Sequence, residues 1–454
     1  MLLTTQVHIN NEHRYAGLFY SLCFHCARMY NVGLYAVRQH FFNTQQYLNY
    51  SRNYHVCKEN ENYHILQTNT GQQILRLVDR DMRSFFKLLR MRQLGKYSEK
   101  VRLPRYKKKT GVMTFVVQGS SARIVDGKVM IGLTKEFRQM YDVDVPRIEL
   151  DIPKHLLSVK EFNEVRVVPM HGGKEFTVEF VYDSCNRQFE QVVAKPDTYM
   201  SIDLGVDNLM TCTCYSDTEL SSFIIDGKYV KSINRYYNKR KARIQSDCDR
   251  NGMKLSESRT YIRLSEYRRN KLSDIMSKSA HYVIRKCLEK GIGTLVLGYN
   301  ESSKDGCNIG HVNNQNFVMI PYTSLISKLK YLCELHGIEY ETQEESYTSK
   351  ASCLDMDEIP VYGEVDGTPK FSGRRKYRGL YVSGDGRLIN ADVNGSINIL
   401  RKYLKSKGKV GLSVDPVGAV VRRPLERVRV CHVPSPKNES DDEEKGQAPS
   451  FREG

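Results

Sequence analysis

Residues 199–205 read Tyr199-Met200-Ser201-Ile202-Asp203-Leu204-Gly205, a short apolar run that ends in a carboxylate and a glycine. This run predicts a buried strand, and a second strand is predicted from Leu209 to Tyr215. Buried strands are also predicted at Thr294–Leu297 and Ile338–Glu341, with a helix over 322–336 between them in the chain. Because strands that alternate with helices are typical of an α/β domain, we predict one from residue 198 onward.

The first hundred residues carry a different period. Apolar side chains recur at helical spacing over 14–42 and again from Leu75 to Leu89. This spacing is typical of amphipathic helices, so we predict a mainly helical segment over 14–102.

Strand patterns surround this helical segment. A hairpin closed by an Asp126-Gly127 turn is predicted within Ile124–Met130, and a second hairpin pairs 165–168 with 176–180. The first ten residues also fit a strand. We therefore predict a small β-barrel, formed by 1–13 and 103–197, that the helical segment interrupts.

The composition argues against some classes of protein and favours others. The chain has 454 residues, 69 Lys+Arg and 52 Asp+Glu, which leaves a formal charge of +17. It lacks a run of about 18 apolar residues, so no membrane span is expected, and its N-terminus does not resemble a secretory signal. Twelve scattered cysteines are then expected to be reduced thiols. The positive excess favours a polyanionic partner, with nucleic acid ahead of a membrane surface.

Basic residues cluster in three places: a connector at 103–109, the helical region over 228–290, and a polar segment over 351–388. Tyrosines interleave with them and can stack on bases or sugars. Solvated surface is the alternative interpretation. The predicted nucleic-acid contacts are Arg105, Lys107, Lys108, Lys231, Arg235, Lys239, Arg240, Arg243, Arg268, Arg269, Arg374, Arg375 and Lys376.

Two carboxylates, those of Asp203 and Asp392, lie at positions where they could bind a metal ion. Asp203 ends an apolar strand, and Asp392 opens a helix predicted over 393–404. Mg²⁺ prefers oxygen ligands, and nucleases bring carboxylates together from separate strands to hold it. A strand-end turn for Asp203 and a helix N-cap for Asp392 are the alternatives. Asn394 and Asn398 place more polar groups beside Asp392 than a cap requires.

Three motifs stand in order along the chain. They are Ser201-Ile202-Asp203-Leu204-Gly205-Val206-Asp207, Tyr347-Thr348-Ser349-Lys350 and Ala391-Asp392-Val393-Asn394-Gly395-Ser396-Ile397-Asn398-Ile399. Together they resemble the split RuvC-type nuclease of transposon-encoded TnpB proteins and of their eukaryotic relatives, the Fanzor proteins. The resemblance covers nearly the whole chain. It implies an α+β multidomain protein: a wedge-like barrel, a helical recognition domain over 14–102, and an RNase H-like nuclease domain over 198–404.

The resemblance also implies a metal site in which Asp203 and Asp392 are ligands. Many TnpB proteins place a glutamate where this chain has Gly298, which offers no side-chain ligand. The strand before Thr348 ends in Glu344-Glu345, and neighbouring strands lie only about 4.8 Å apart. We therefore expect the rearranged site of Fanzor and some TnpB proteins, with Glu344 as the second acid, Glu345 as its alternative and Glu301 as a weaker substitute.

Relatives carry two cysteine pairs for zinc in the insertion over 351–388, whereas this chain has only Cys353 there. We therefore predict no zinc in the insertion. The Cys23-Phe24-His25-Cys26 motif lies in a helical pattern with no partner pair and is interpreted as core. A tail over 405–454 contains prolines and an acidic run, and its last 20 residues are expected to be disordered.

The resemblance implies an RNA-guided DNA endonuclease that uses Mg²⁺, with two ions, and that takes one guide RNA per protein. Its target is double-stranded DNA next to a short motif. A catalytically inactive RNA-guided regulator and a guide-independent structure-specific nuclease are the alternatives. A Fanzor-like protein would act in the nucleus, which we favour, with basic residues near Lys402 or Arg422 as import signals. A bacterial TnpB would act in the cytoplasm.

Overall fold

The computed structural model describes residues 2–183, 189–216, 219–299, 319–361, 363, 369–409 and 425–430. The chain divides into two compact units, Met1–Gln188 and Phe189–Gly454. This boundary falls earlier than the one expected at 197. The two units are described separately.

The helices of the first unit follow one another along the chain. They are α1 (Ala16–Thr44), α2 (Tyr50–Cys57), α3 (Glu61–Ile65), α4 (Thr68–Gln93) and α5 (Lys135–Tyr141). Helix α1 buries Leu22, Cys26 and Met29, and α4 buries Leu75 and Val78. These apolar stripes at helical spacing pack α1 against α4. Burial also raises the pKa of the Cys23 thiol to about 12, as expected for a core cysteine.

The strands of the first unit form two antiparallel sheets. They are β1 (Leu2–Ile9), β2 (Phe115–Gln118), β3 (Ala122–Val125), β4 (Lys128–Gly132), β5 (Arg147–Asp151), β6 (Glu164–Met170) and β7 (Glu175–Asp183). The sheet orders are β1-β7-β6-β2 and β3-β4-β5. Both predicted hairpins are confirmed, and the turn at Asp126 and Gly127 has φ of 48° and 71°. Because β1 pairs with β7, α1 to α4 interrupt the β-structure in sequence.

The second unit is built on one mixed sheet. Its strands are β8 (Tyr199–Leu204), β9 (Asn208–Ser216), β10 (Glu219–Asp226), β11 (Thr294–Gly298), β12 (Glu339–Gln343) and β16 (Glu426–Val428). The order is β12-β11-β8-β9-β10-β16. Strand β11 runs parallel to β8 and β12, whereas β9 runs antiparallel to its neighbours. The carboxyl ends of β8, β11 and β12 therefore meet at one edge.

Helices cover both faces of this sheet. They are α6 (Lys228–Arg250), α7 (Arg259–Lys290), α8 (Tyr322–His336) and α9 (Ala391–Ser406). On one face the α7 residue Cys287 lies 3.8 Å from Met200 of β8, sulfur to sulfur, and on the other Ser201 donates to the Ser396 carbonyl of α9 at 2.8 Å. The predicted fold class is confirmed by this arrangement. Within the described ranges, no helix has an apolar stretch long enough to span a bilayer.

The insertion between β12 and α9 is held by hydrogen bonds. It contains β13 (Arg374–Tyr377), β14 (Leu380–Val382) and β15 (Leu388–Asn390), paired in that order. Asp357 accepts from the Ser352 and Ser372 amides at 2.8 and 3.1 Å, and Asp355 accepts from the Gly384 amide at 2.7 Å. Cys353 is buried in the core beside α9. In the described part of the insertion, carboxylates thus cross-link the turns.

One face of α9 carries polar side chains that are almost completely buried. Asn394 accepts from the Cys353 amide at 2.9 Å and donates to the Ala351 carbonyl at 2.8 Å. Asn398, one turn further, donates to the Thr348 and Ala351 carbonyls at 2.9 and 2.7 Å. Residues four apart on a helix share a face, so these two amides hold the chain segment that follows β12.

Removing the Asn398 amide should unfold the second unit at a lower denaturant concentration. Asn398→Ala leaves the Thr348 and Ala351 carbonyls without these donors, and a buried polar group that loses its partner costs about 1–3 kcal/mol. Urea unfolding followed by circular dichroism measures the loss. Asn270→Ala, at an exposed position on α7, is the control, and equal midpoints for both variants would contradict the assignment.

Candidate active site

Asp203 lies near the carboxyl end of β8 on the face that α9 covers. Ser201, two residues earlier and therefore on the same face, bonds to Ser396 of α9. A Cβ on Gly395 of the same helix would lie 2.7 Å from the Asp203 carboxylate. Only glycine at 395 leaves room for that carboxylate, so helix and strand approach closely at this point.

Glu345 occupies the space beside Gly298. A Cβ on Gly298 would lie 3.1 Å from Glu345 Oε2 and 2.4 Å from Ile399 Cδ1. The carboxylate of Glu345, which follows the end of β12, therefore lies beside the position at which the resemblance leads us to expect a glutamate. A side chain at 298 would collide with Ile399 Cδ1 and approach the Glu345 carboxylate, so one of these groups would have to shift.

Glu344 faces a different partner. Its carboxylate forms an ion pair with Lys402 of α9 and accepts from the Ser346 amide at 2.6 Å. The strand register explains the difference between the two glutamates. Gln343 pairs with Gly298 and faces the same side, so Glu345, two residues further, returns to that side. The structure thus places Glu345, the alternative second acid, beside Asp203.

Asp392 lies in the first turn of α9. Asn390 caps this helix, because its side chain accepts from the Asp392 and Val393 amides at 3.0 and 3.2 Å. The N-cap alternative for Asp392 is therefore wrong. Its carboxylate instead accepts from Asn208 Nδ2 at 2.6 Å and pairs with Arg375 Nη2 at 3.0 Å.

The charged form of Asp203 is unfavourable in the folded protein. Burial raises the pKa of Asp203 well above its ordinary value, and the charges of Glu345 and Asp392 raise it further, against a lowering by Arg375. Burial also raises the pKa of Glu345, with a contribution from Glu344. Like charges held together in a partly dry site favour a bound cation or proton. These groups suit a divalent metal, which prefers carboxylate oxygens.

Sequence reasoning missed two residues that orient this site. Asn208 bonds to Asp392 through its amide nitrogen and accepts from Arg427 Nη1 at 3.1 Å through its oxygen. Lys402 is 5% exposed, although the sequence grouped it with lysines of an import signal. The position of Lys402 on the apolar face of a predicted helix could have indicated that it is buried. Asn208, after a turn, offered none.

The predicted nucleic-acid contacts of the second unit fall into two groups. Most are exposed, namely Arg235, Lys239, Arg240, Arg243, Arg269, Arg374, Arg375 and Lys376. Arg268 instead donates to Asn234 at 2.8 Å and to the Met319 carbonyl at 2.9 Å, and its guanidinium lies over the Tyr237 ring. Lys231 pairs with Asp207. Arg268 therefore ties α6 to α7, a structural role the sequence did not predict.

The connector of the first unit presents its basic residues unequally. Arg105 and Lys108 are exposed. Lys107 is partly buried: its amide donates to Asn31 at 2.7 Å and its ammonium lies 4.5 Å from the centre of the Tyr30 ring. Glu301, Arg422 and the last 20 residues lie outside the described residues.

Two sequence families match the second half of the chain. The OrfB family of IS605, described as a probable transposase, matches residues 177–304, and a family described as the Cas12f1-like TNB domain matches residues 322–399. The first match contains Asp203, and the second contains Glu345 and Asp392. Both families therefore cover the strands and the helix that carry the three carboxylates.

Known proteins resemble the chain over most of its length. The TnpB-like protein ORF457 of Acidianus two-tailed virus is 24% identical over 420 residues, which are 83% of this chain and 81% of that protein. A Cas12f1–sgRNA–target DNA complex is 15% identical with a TM-score of 0.34, covering 87% of this chain and 98% of that one. The mini-RNA-guided endonuclease CRISPR-Cas phi3 is 10% identical with a TM-score of 0.44, covering 90% and 94%.

Gly298→Ala should destabilise the second unit, and a compensating change should restore it. The new methyl group would lie 2.4 Å from Ile399 Cδ1, and such overpacking costs about 1–3 kcal/mol. Ile399→Val removes that atom, so the double variant should regain stability in thermal unfolding. Gly379→Ala, which meets nothing within 4 Å, is the control. A Gly298→Ala protein as stable as this control would contradict the close approach.

Asp203→Asn should stabilise the metal-free protein at neutral pH. The raised pKa of Asp203 means that the folded state holds this proton more tightly than the unfolded chain does. The stability gained from protonation is complete below the ordinary aspartate pKa and is lost as pH rises through the raised value. Asparagine stays neutral, so its melting-temperature advantage in EDTA should grow from pH 5 to pH 8. Glu161→Gln, at an exposed position, is the control, and a variant less stable at every pH would contradict the prediction.

Proposed function

We propose, from the premise that this chain is a member of the TnpB family, that it is an RNA-guided DNA endonuclease. The observation that carries the proposal is that Glu345 and Asp392 lie close enough to Asp203, at one end of the sheet, for their charges to raise its pKa. In a nuclease, carboxylates from separate strands must converge on one point. Guide RNA and target double-stranded DNA are the proposed partners, at one guide RNA per protein.

Asp203, Glu345 and Asp392 would hold the catalytic metal, proposed to be Mg²⁺ as two ions. The raised pKa of Asp203 supports this, because a divalent cation would offset the repulsion that burial imposes on these charges. When bound, Mg²⁺ polarises the phosphodiester and stabilises the charge that develops on its oxygens. Glu345 takes the role expected of Glu344, since Glu344 is held by Lys402.

The chain's own basic residues would position the substrate strand. Arg375 donates to Asp392 at 3.0 Å and lowers the pKa of Asp203, so its guanidinium lies at the edge of the carboxylate cluster. The Arg375 side chain is also exposed, so it can reorient toward a phosphate. The N–H donors of a guanidinium suit bidentate hydrogen bonding to phosphate oxygens. Arg374 and Lys376 flank it on β13. Arg378 anchors the same hairpin by pairing with Asp207 at 2.9 Å.

The exposed basic residues of α6 suit the backbone of a nucleic-acid duplex. Arg235, Lys239, Arg240 and Arg243 recur along the helix and are exposed. Phosphate contacts of this kind add salt-dependent affinity without reading sequence, as a guided enzyme requires.

A catalytically inactive regulator was the main alternative, because Gly298 cannot supply a ligand. The carboxylate of Glu345 beside Gly298 supports the endonuclease instead, because a third acid then lies near Asp203 and Asp392. A guide-independent nuclease would not account for the similarity of this sequence to the TnpB family. Nuclear action for a Fanzor-like protein, or cytoplasmic action for a bacterial TnpB, stays a prediction.

Paired substitutions test the assignment. Asp203→Ala, Asp392→Ala and Glu345→Gln should abolish cleavage of matched double-stranded DNA in Mg²⁺, because each removes a metal ligand, while binding of guide RNA and target persists. Glu344→Gln is the matched control at the adjacent position and should retain more cleavage than Glu345→Gln. Cleavage and filter-binding assays on RNA-loaded protein measure both properties.

Three outcomes would contradict parts of the proposal. Normal cutting by Asp203→Ala or Asp392→Ala would exclude the site. Normal cutting by Glu345→Gln with loss of cutting in Glu344→Gln would make Glu344 the second acid. A wild-type protein that purifies without any discrete RNA and cuts DNA unaided would favour the guide-independent nuclease.

A further inference from the structure

The side-chain ammonium of Lys402 is buried in the second unit. Its side chain is 5% exposed, and it contacts three oxygens: the Glu344 carboxylate, the Ser346 carbonyl at 3.2 Å and the Pro360 carbonyl at 3.1 Å. Lysine is rarely buried without partners, because removing its charge from water is costly. All three of its donor positions are thus used.

Two of these oxygens belong to residues on either side of Glu345. The second oxygen of the Glu344 carboxylate accepts from the Ser346 amide, which closes a tight turn around Glu345. The Glu345 carbonyl accepts from the Thr348 hydroxyl at 2.8 Å. Hydrogen bonds therefore fix the backbone on both sides of Glu345.

The backbone of this turn requires such support. Tyr347 has a φ of 65°, in the left-handed region that residues other than glycine seldom adopt. A conformation of this kind persists only where surrounding contacts impose it. Lys402 and Asn398, one turn apart on α9, bond to the segment on both sides of Tyr347.

We propose that Lys402 is a positioning residue for the metal site, acting through its ion pair with Glu344 to hold the carboxylate of Glu345 beside Gly298. The proposal rests on the proposed function, because it takes Glu345 as a ligand. It assigns Glu344 a role that explains why two adjacent glutamates stand at the end of β12. One glutamate binds the metal, and the other fixes the direction of its neighbour.

The test separates positioning from stability. Lys402→Met leaves Glu344 unpaired and should lower both the melting temperature and the affinity for Mn²⁺, measured by calorimetry on full-length protein. Replacing both partners, as Lys402→Met with Glu344→Leu, should recover the melting temperature, because apolar replacements of a buried ion pair are often neutral or stabilising. The affinity for Mn²⁺ should stay about 10- to 100-fold below wild type, as is usual when the support of a ligand is removed.

Two controls sharpen this result. Lys405→Met, on the same helix, removes an exposed lysine that pairs with Glu358 and should leave Mn²⁺ affinity unchanged. Lys402→Arg keeps the charge and should recover part of the affinity. A double variant that binds Mn²⁺ as tightly as wild type would overturn the proposal.

Failure of the proposed function gives a different pattern. If the protein binds Mn²⁺ and Lys402→Met weakens that binding, but no variant including wild type cuts DNA, the positioning role stands and the endonuclease does not. If Glu345→Gln binds Mn²⁺ normally, Glu345 is not a ligand and the positioning role falls with it.

Discussion

The docking of α9 against the sheet is the constraint on which the rest of the second unit depends. Gly395 lets the helix approach the carboxylate of Asp203, and Ile399 packs over Gly298, where any side chain would collide with it. The same helix carries Asp392 in its first turn and therefore sets the distance between Asp203 and Asp392. Interior packing this close tolerates little displacement, so a shift of the helix would disperse the site.

The docking of α9 also compensates for an electrostatic cost. Asp203 has its pKa raised by burial and by two neighbouring carboxylates, which makes its charged form unfavourable in the folded chain. Asn208 and Arg375 relieve part of this repulsion at Asp392 through direct hydrogen bonds. A site that gathers like charges in this way sacrifices stability for function, as is common in active sites. Apolar packing of α9 against the sheet supplies the compensation.

Carboxylates hold the insertion between β12 and α9. Asp355 and Asp357 accept hydrogen bonds from backbone amides of distant turns. Arg401 of α9 adds a bond to the Asp357 carbonyl at 2.9 Å. The hairpin that carries Arg375 is thereby attached to the helix that carries Asp392. The expectation that the insertion holds no zinc stays a prediction.

Local spacing was enough to predict several of the elements and the positions of two acids at element ends. Apolar runs and a strand-end carboxylate marked β8 and Asp203, and a polar start to an apolar helix marked α9 and Asp392, because strand and helix periods are properties of a few consecutive residues. The helix over 322–336 was predicted with the bounds that the structure has. The choice between Glu344 and Glu345 was not local. It depends on the register of β12 against β11, which pairs Gln343 with Gly298 and is set by packing between strands. The burial of Lys402 and the contacts of Arg268 were likewise decided only by tertiary structure, since a charged side chain has the same sequence signal whether water or a neighbouring element surrounds it.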